Sequence, residues 1–226
     1  MEDNKNIFYI VGTPIGNLGD ISERCLKTLK EVDFIFAEDT RVTRKITSHF
    51  NIDAQIRRYN ENNPEKDFEK ISEILKEGKS IALVTDAGTP AISDPGFKLV
   101  HFVRENIPQV KIRVIPGPSA IVSALSVSGL PSSEFTFLGY PPAKKKRKKF
   151  FERVASMEVR PVVLYESPHR LQKTFSELEE VTGDIDIFIA KEMTKIYESY
   201  FKGKISEARE YFSGEKGKGE FVIIIQ

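Results

Sequence analysis

Short apolar runs alternate along the chain with stretches whose apolar residues recur at helical spacing, the pattern of an α/β fold in which strands and helices take turns. In the first half the strand-like runs are residues 7–11, 33–37, 55–59, 80–85 and 111–115. Helices are predicted over 21–30 and 42–49, from Asn63 and Pro64 to just before Gly78, near 96–104, and after the PGPSA turn up to Gly129 and Pro131. Asp20 with Glu23 three residues on has the form of a capping box for the first of these. The second half repeats the style with runs at 135–139, 161–166, 186–191, an alternating 195–201, and 221–225. Two α/β domains follow, residues 1–128 and 129–226, with no sequence repeat between them.

The turns after three first-half strands are unusual. GTPIGNLG follows the first, DAGTPAISDPG the fourth and PGPSA the fifth. Gly and Pro each restrict or free the backbone differently, so such loops read as built surfaces rather than plain connections. With helical crossovers the fourth and fifth strands should be parallel neighbours, and their loops should open on one edge, where α/β proteins bind ligands. Glycines at 12, 16 and 19 match neither G-x-G-x-x-G nor a phosphate loop. Glu38 and Asp39 end the second strand where a dinucleotide fold places its ribose-binding acid, but the close glycine pair of that fold is missing.

Composition narrows the class. A chain of 226 residues, 40% hydrophobic and 30% charged, can bury a real core. No apolar run is long enough to span a membrane, and MEDNKN carries acids where a secretory signal would be basic and then apolar, so a cytoplasmic location is expected. The single cysteine, Cys25, shares a helical face with Ile21, Leu29 and Val32 and reads as a core thiol. His49, His101 and His169 lack metal-ligand spacing and no metal is expected; His169, after Pro168, is placed at the start of a helix.

Net charge is only +1, yet residues 141–173 hold ten Lys or Arg against three Glu, an excess of seven that leaves −6 elsewhere. The core of this segment is AKKKRKKFFERV. Phe150, Phe151 and Val154 recur at helical spacing and should face a core, while the cations suit a polyanion. For RNA the candidates are Lys144, Lys145, Lys146, Arg147, Lys148 and Lys149, with Arg41, Arg44, Lys45, Arg57 and Arg58 in the first half.

In order along the chain, YIVGTPIGNLGDISERCLKTLKEVDFIFAEDTRVTRKITSHF, TDAGTPAISDPG, PGPSA, LYESPHR and AKEMTKIYE resemble the ribosomal small-subunit methyltransferase I family. These are ribosomal RNA cytidine 2'-O-methyltransferases of the tetrapyrrole methylase superfamily, and the similarity runs from about Phe8 to Ile225. It implies two α/β domains with S-adenosyl-L-methionine folded into a cleft between them, a 16S ribosomal RNA substrate within the small subunit, and a homodimer. The cofactor turns fall on Thr13 and Pro14, on Asp86, Ala87, Gly88 and Ile92, and on Ser119 and Ala120. Tyr165, Glu166 and the segment Ala190–Glu192 would close the cleft.

A ribose hydroxyl is a poor nucleophile and calls for a base within hydrogen-bond reach. The candidates are Glu38, Asp39, Glu166 and Glu192, all at or just past strand ends; Asp39 with Arg41 or Arg44, and Glu192 with Lys191 or Lys195, could equally be ordinary ion pairs. Other members of the superfamily methylate tetrapyrroles or a modified protein residue, and a non-catalytic RNA-binding module is the alternative of another class. The family usually continues past the strand matched by GEFVIIIQ, and any RNA docking by such a tail would be absent from a chain ending at Gln226.

Overall fold

The structure is a computed structural model that describes residues 6–61 and 64–226. The first five residues, with part of the acidic MEDNKN, and the helix start expected at Asn63 lie outside the described residues. The chain divides into two compact units, Met1–Ser119 and Ala120–Gln226. The break therefore falls before the helix that follows PGPSA, which belongs to the second unit rather than to the end of the first.

The first unit runs β1 (Ile7–Val11), α1 (Glu23–Glu31), β2 (Phe34–Ala37), α2 (Thr40–His49), β3 (Gln55–Arg58), α3 (Pro64–Lys76), β4 (Ile81–Val84), α4 (Phe97–Asn106) and β5 (Lys111–Ile115). Its strands form one parallel sheet in the order β3-β2-β4-β1-β5. β1, β2 and β4 are buried along their whole length, as strands covered on both faces must be. Successive side chains serve opposite faces. Phe8, Phe36 and Leu83 pack with Ile71 and Leu75 of α3 and with Leu99 and Val103 of α4. Tyr9, Ile35 and Ala82 pack instead with Cys25 and Leu29 of α1. Cys25 is a core thiol as its spacing predicts, and burial pushes its pKa up to about 11.

Two local expectations are corrected. The cap of α1 is Ser22, whose hydroxyl accepts from the Cys25 amide at 3.1 Å, because Asp20 is already the end of a short 3-10 turn over Leu18–Asp20. β4 and β5 are parallel but not adjacent, since β1 lies between them.

The second unit runs α5 (Ala120–Ser128), β6 (Thr136–Phe137), α6 (Arg147–Ala155), β7 (Val162–Glu166), α7 (Leu171–Thr182), β8 (Asp186–Lys191), β9 (Ser199–Lys204), α8 (Ile205–Tyr211) and β10 (Phe221–Ile225). Its sheet has the order β6-β7-β10-β8-β9; β6 and β7 are parallel, and the other pairs are antiparallel. Phe151 and Val154 of α6 enter its core with Phe175 and Leu178 of α7, as the helical spacing requires. The alternating run 195–201 becomes a strand only from Ser199; the residues before it form the turn out of β8. His169 lies in the turn ahead of α7, one residue short of the Arg170 cap.

Candidate functional site

Three turns of the first unit meet at the carboxyl ends of β1, β4 and β5. Thr13 and Gly88 exchange backbone hydrogen bonds, Thr13 N to Gly88 O at 2.9 Å and Gly88 N to Thr13 O at 3.1 Å. The Thr13 hydroxyl donates to Thr85 O, and the Gly12 amide donates to Ile115 O at 2.9 Å. A Cβ on Gly12 would lie 2.7 Å from Gly117 N, and one on Gly117 would lie 2.6 Å from Gly12 C, so only two glycines let these backbones approach. Gly88 has φ +76, a conformation that side chains rarely adopt. Pro14 is buried, Asp86, Ala87 and Ile92 are exposed, Ser119 is half-buried, and Ala120, also half-buried, opens the second unit. Of the cofactor candidates, Thr13 and Gly88 are thus bonded to each other beside the turn after β5, and the joint itself is buried backbone.

An acidic cleft lies over the ends of β2 and β3. It encloses about 370 Å³ and is lined by Glu38, Arg58, Tyr59, Asn60, Glu61, Ser93, Asp94 and Pro95. The DAGTPAISDPG loop links it to the glycine joint, because the Asp86 carboxylate accepts from the Asp39 amide at 3.2 Å. Burial, then the charges of Glu38 and Asp86, push the Asp94 carboxyl up to about 6. Burial, followed by Asp86, Asp39 and Glu61, also raises Glu38.

Asp39 behaves oppositely. Its carboxylate caps α2 by accepting from the Arg41 amide at 2.8 Å and grips the Arg41 guanidinium, and hydrogen bonds from Arg41 hold its pKa at about 2. Fully ionised and already paired, it is a weak proton acceptor. Asp94 was not among the sequence candidates. Its signal was present in the SDPG end of the loop, but the strand-end rule looks only at residues next to a strand, and this loop doubles back.

In the second unit, Glu166 is completely buried at the end of β7. Arg170 pairs with it at 2.9 Å, the Ser167 amide donates to it at 2.8 Å, and the Thr174 hydroxyl donates to its other oxygen. Arg147, only 3% exposed, lies 3.8 Å from the same carboxylate and donates to Glu177, Thr174 and Pro142 O. Both assignments are therefore corrected: Glu166 has no oxygen left for a substrate proton, and Arg147 is an internal cation rather than an RNA contact.

Glu192 accepts from Lys195 and from the Glu220 amide, both at 2.9 Å; burial raises its pKa, but these bonds outweigh it and the net shift is down. Ala190 is buried within β8, between Val222 and Tyr200 on the flanking strands, and Tyr165 packs edge-on against Phe137.

The remaining cations are accessible. Lys144, Lys145, Lys146, Lys148 and Lys149 are exposed, and none pairs with an acid among the described residues. Arg44 and Lys45 project from α2, Arg41 is exposed but tied to Asp39, and Arg57 lies 3.8 Å above the Phe34 ring.

The family model described as tetrapyrrole (corrin/porphyrin) methylases matches residues 8–209. The chain belongs to the tetrapyrrole methylase family. It is 46% identical over 217 residues to a ribosomal RNA small subunit methyltransferase I of Thermotoga maritima, covering 96% of each protein. A protein of the same name from Halalkalibacterium halodurans is 42% identical, over 99% of this chain and 77% of that one. Among solved structures, the uroporphyrin-III-C-methyltransferase of Thermus thermophilus superimposes with a TM-score of 0.68 over 97% of this chain and 94% of that one, at 15% identity. That last likeness is one of fold, and it accounts for the paired sheets of this methylase. Among the described residues, no helix is long and apolar enough to cross a membrane.

Proposed function

We propose that this methylase transfers a methyl group from S-adenosyl-L-methionine to the 2'-hydroxyl of a cytidine in the 16S RNA of the small ribosomal subunit. The observation that carries the reading is the junction of the β1, β4 and β5 turns, with an acidic cleft joined to it by one loop, in a chain so similar to methyltransferases named for that RNA. When bound, the donor supplies an electrophilic methyl on a sulfonium, a group whose departure needs no acid.

The residues fit such a group. Gly12 and Gly117 let the turns after β1 and β5 close on one another, and Gly88 holds the turn after β4 at a positive φ, so the three form one backbone junction. Pro14, Ala87 and Ser119 stand next to it along the chain, and the exposed Asp86 carboxylate suits hydroxyl or ammonium donors. Holding two reactants in register supplies much of the acceleration of such a displacement. The remaining task is the proton of the acceptor hydroxyl. Asp94 takes it, burial first and then the charges of Glu38 and Asp86 bringing the carboxyl pKa toward neutral, which is where a general base works best. Exposed lysines and arginines hold the phosphates and set register without reading sequence.

Methyl-labelled donor is incubated with unmethylated small subunits, and the RNA is digested to nucleosides. Label in 2'-O-methylcytidine supports the reading. Label on a base, on protein or on a tetrapyrrole, with none on ribose, contradicts it.

A further inference from the structure

The turn between β8 and β9 displays apolar side chains to solvent. Ile196 is 95% and Tyr197 76% exposed. The turn is nevertheless firmly built. Lys195 Nζ donates to Glu192 at 2.9 Å and to Glu220 at 2.8 Å, and the Glu198 carboxylate accepts from both the Thr194 amide and the Tyr200 hydroxyl. A braced tip loses little entropy when something docks on it, and the exposed ring and aliphatic chain gain by being covered.

What covers them follows from the sheet. β6 is parallel to β7, and β7 and β8 are both antiparallel to β10, so β6, β7 and β8 end on the same edge of the second unit. From the end of β6 comes the segment with the five exposed lysines, none paired with an acid among the described residues; from the end of β8 comes the Tyr197 tip. The two strands are three places apart in the sheet. At ~4.8 Å per step their ends stand about 14 Å apart. The segments that leave this edge thus carry a polycation beyond one strand and a flat aromatic ring beyond another. Lysines suit phosphates, and an exposed ring suits an unpaired base.

We infer that the Ile196–Tyr197 tip is a stacking platform for an unpaired base of the RNA whose backbone lies along the Lys144–Lys149 segment. The inference rests on the reading that the substrate is RNA. Tyr197 supplies stacking and the lysines supply charge, so the two contributions separate by salt dependence.

The test uses the full chain and a fluorescein-labelled single-stranded oligocytidylate, alone or hybridised to its complement. Tyr197→Ala should weaken single-strand binding by about 5- to 100-fold with the salt slope unchanged. Tyr197→Phe should retain it, and replacing Lys144, Lys145 and Lys146 by Ala should flatten the slope. The chain has no tryptophan. Tyr197→Trp therefore introduces a sole indole, whose emission should be quenched by the single strand and not by the duplex. Wild-type affinity in Tyr197→Ala, or an indole indifferent to the single strand, overturns the inference while leaving the functional reading in place. So does loss of self-association in Tyr197→Ala with RNA affinity intact, which would make a second copy the occupant. Failure of the wild-type protein to bind RNA at all would overturn the functional reading together with the inference.

Discussion

Asp94 holds its proton to about pH 6 in the folded protein, against an ordinary value of 3.8. The direction fixes how stability depends on pH. Between about pH 4 and 6 the native state binds more protons than the unfolded chain, so stability falls as pH rises through that window and the loss is complete above it. Asp94→Asn removes the burdened charge. Its melting temperature should exceed that of the wild type at pH 8, with the gap closing at pH 4, as read by thermal unfolding across pH. The same substitution should lower the methylation rate at pH 8 by roughly 100-fold or more, because general-base assistance is worth that much. It should also abolish the rise of the wild-type rate with pH through about 6. Asp39→Asn should cost far less activity, since Arg41 already engages that carboxylate. Asp39 stands just past a strand end and Asp94 deep in a loop, and nothing in the sequence ranks one above the other as a base. Only the folded loop, which brings Glu38 and Asp86 toward Asp94 and Arg41 onto Asp39, sets their pKa values apart.

At the scale of elements, α6 shows how a basic run divides. Six cations in a row read as one solvated face, yet a helix turns about 100° per residue and must bury a stripe. Phe151 and Val154 mark that stripe and were legible as core; Arg147, four residues before Phe151, lies on it too and ends up facing inward. There it meets Glu166, the one carboxylate of β7, which the strand-end rule took for a catalytic group. Glu166 keeps Arg170 when Arg147 is lost, so the cost of removing Arg147 is that of its own buried hydrogen bonds, to Glu177, Thr174 and Pro142 O. Arg147→Ala should destabilise the protein by ~1–3 kcal/mol in urea unfolding. Lys148→Ala, one position further and exposed, should change stability by less than ~0.5 kcal/mol. If the two substitutions cost the same, the burial of Arg147 is wrong. Elsewhere β1, β8 and β10 fall where the apolar runs place them, because their hydrophobicity is dense and bounded by Gly, Pro or charge, and β5 does so with Lys111 and Arg113 alternating with its apolar residues. α8 was not anticipated: its seven residues carry little of their own periodicity and are held by packing on β9 and α7.

For the molecule as a whole, the α/β character of both units and the gathering of loops at one edge of the first were legible, since parallel strands joined by helices leave their carboxyl ends together. Strand order was not. That β1 separates β4 from β5 depends on which neighbours each sheet face can accept, a tertiary property with no local signature. The Gly12–Gly117 approach is of the same kind, visible in sequence as two glycines but not as a contact. The account depends most on that edge being the methyl-donor cradle, and calorimetric titration of S-adenosyl-L-methionine into two variants tests it. Gly88→Ala and Gly78→Ala both force a side chain onto positive φ, +76 and +80, but open space surrounds Gly78, whereas Gly88 faces Ile15 and Pro118 at the joint. The account predicts that the wild type and Gly78→Ala bind the donor alike while Gly88→Ala, still folded by circular dichroism, loses at least tenfold in affinity. Equal affinity in all three would contradict it.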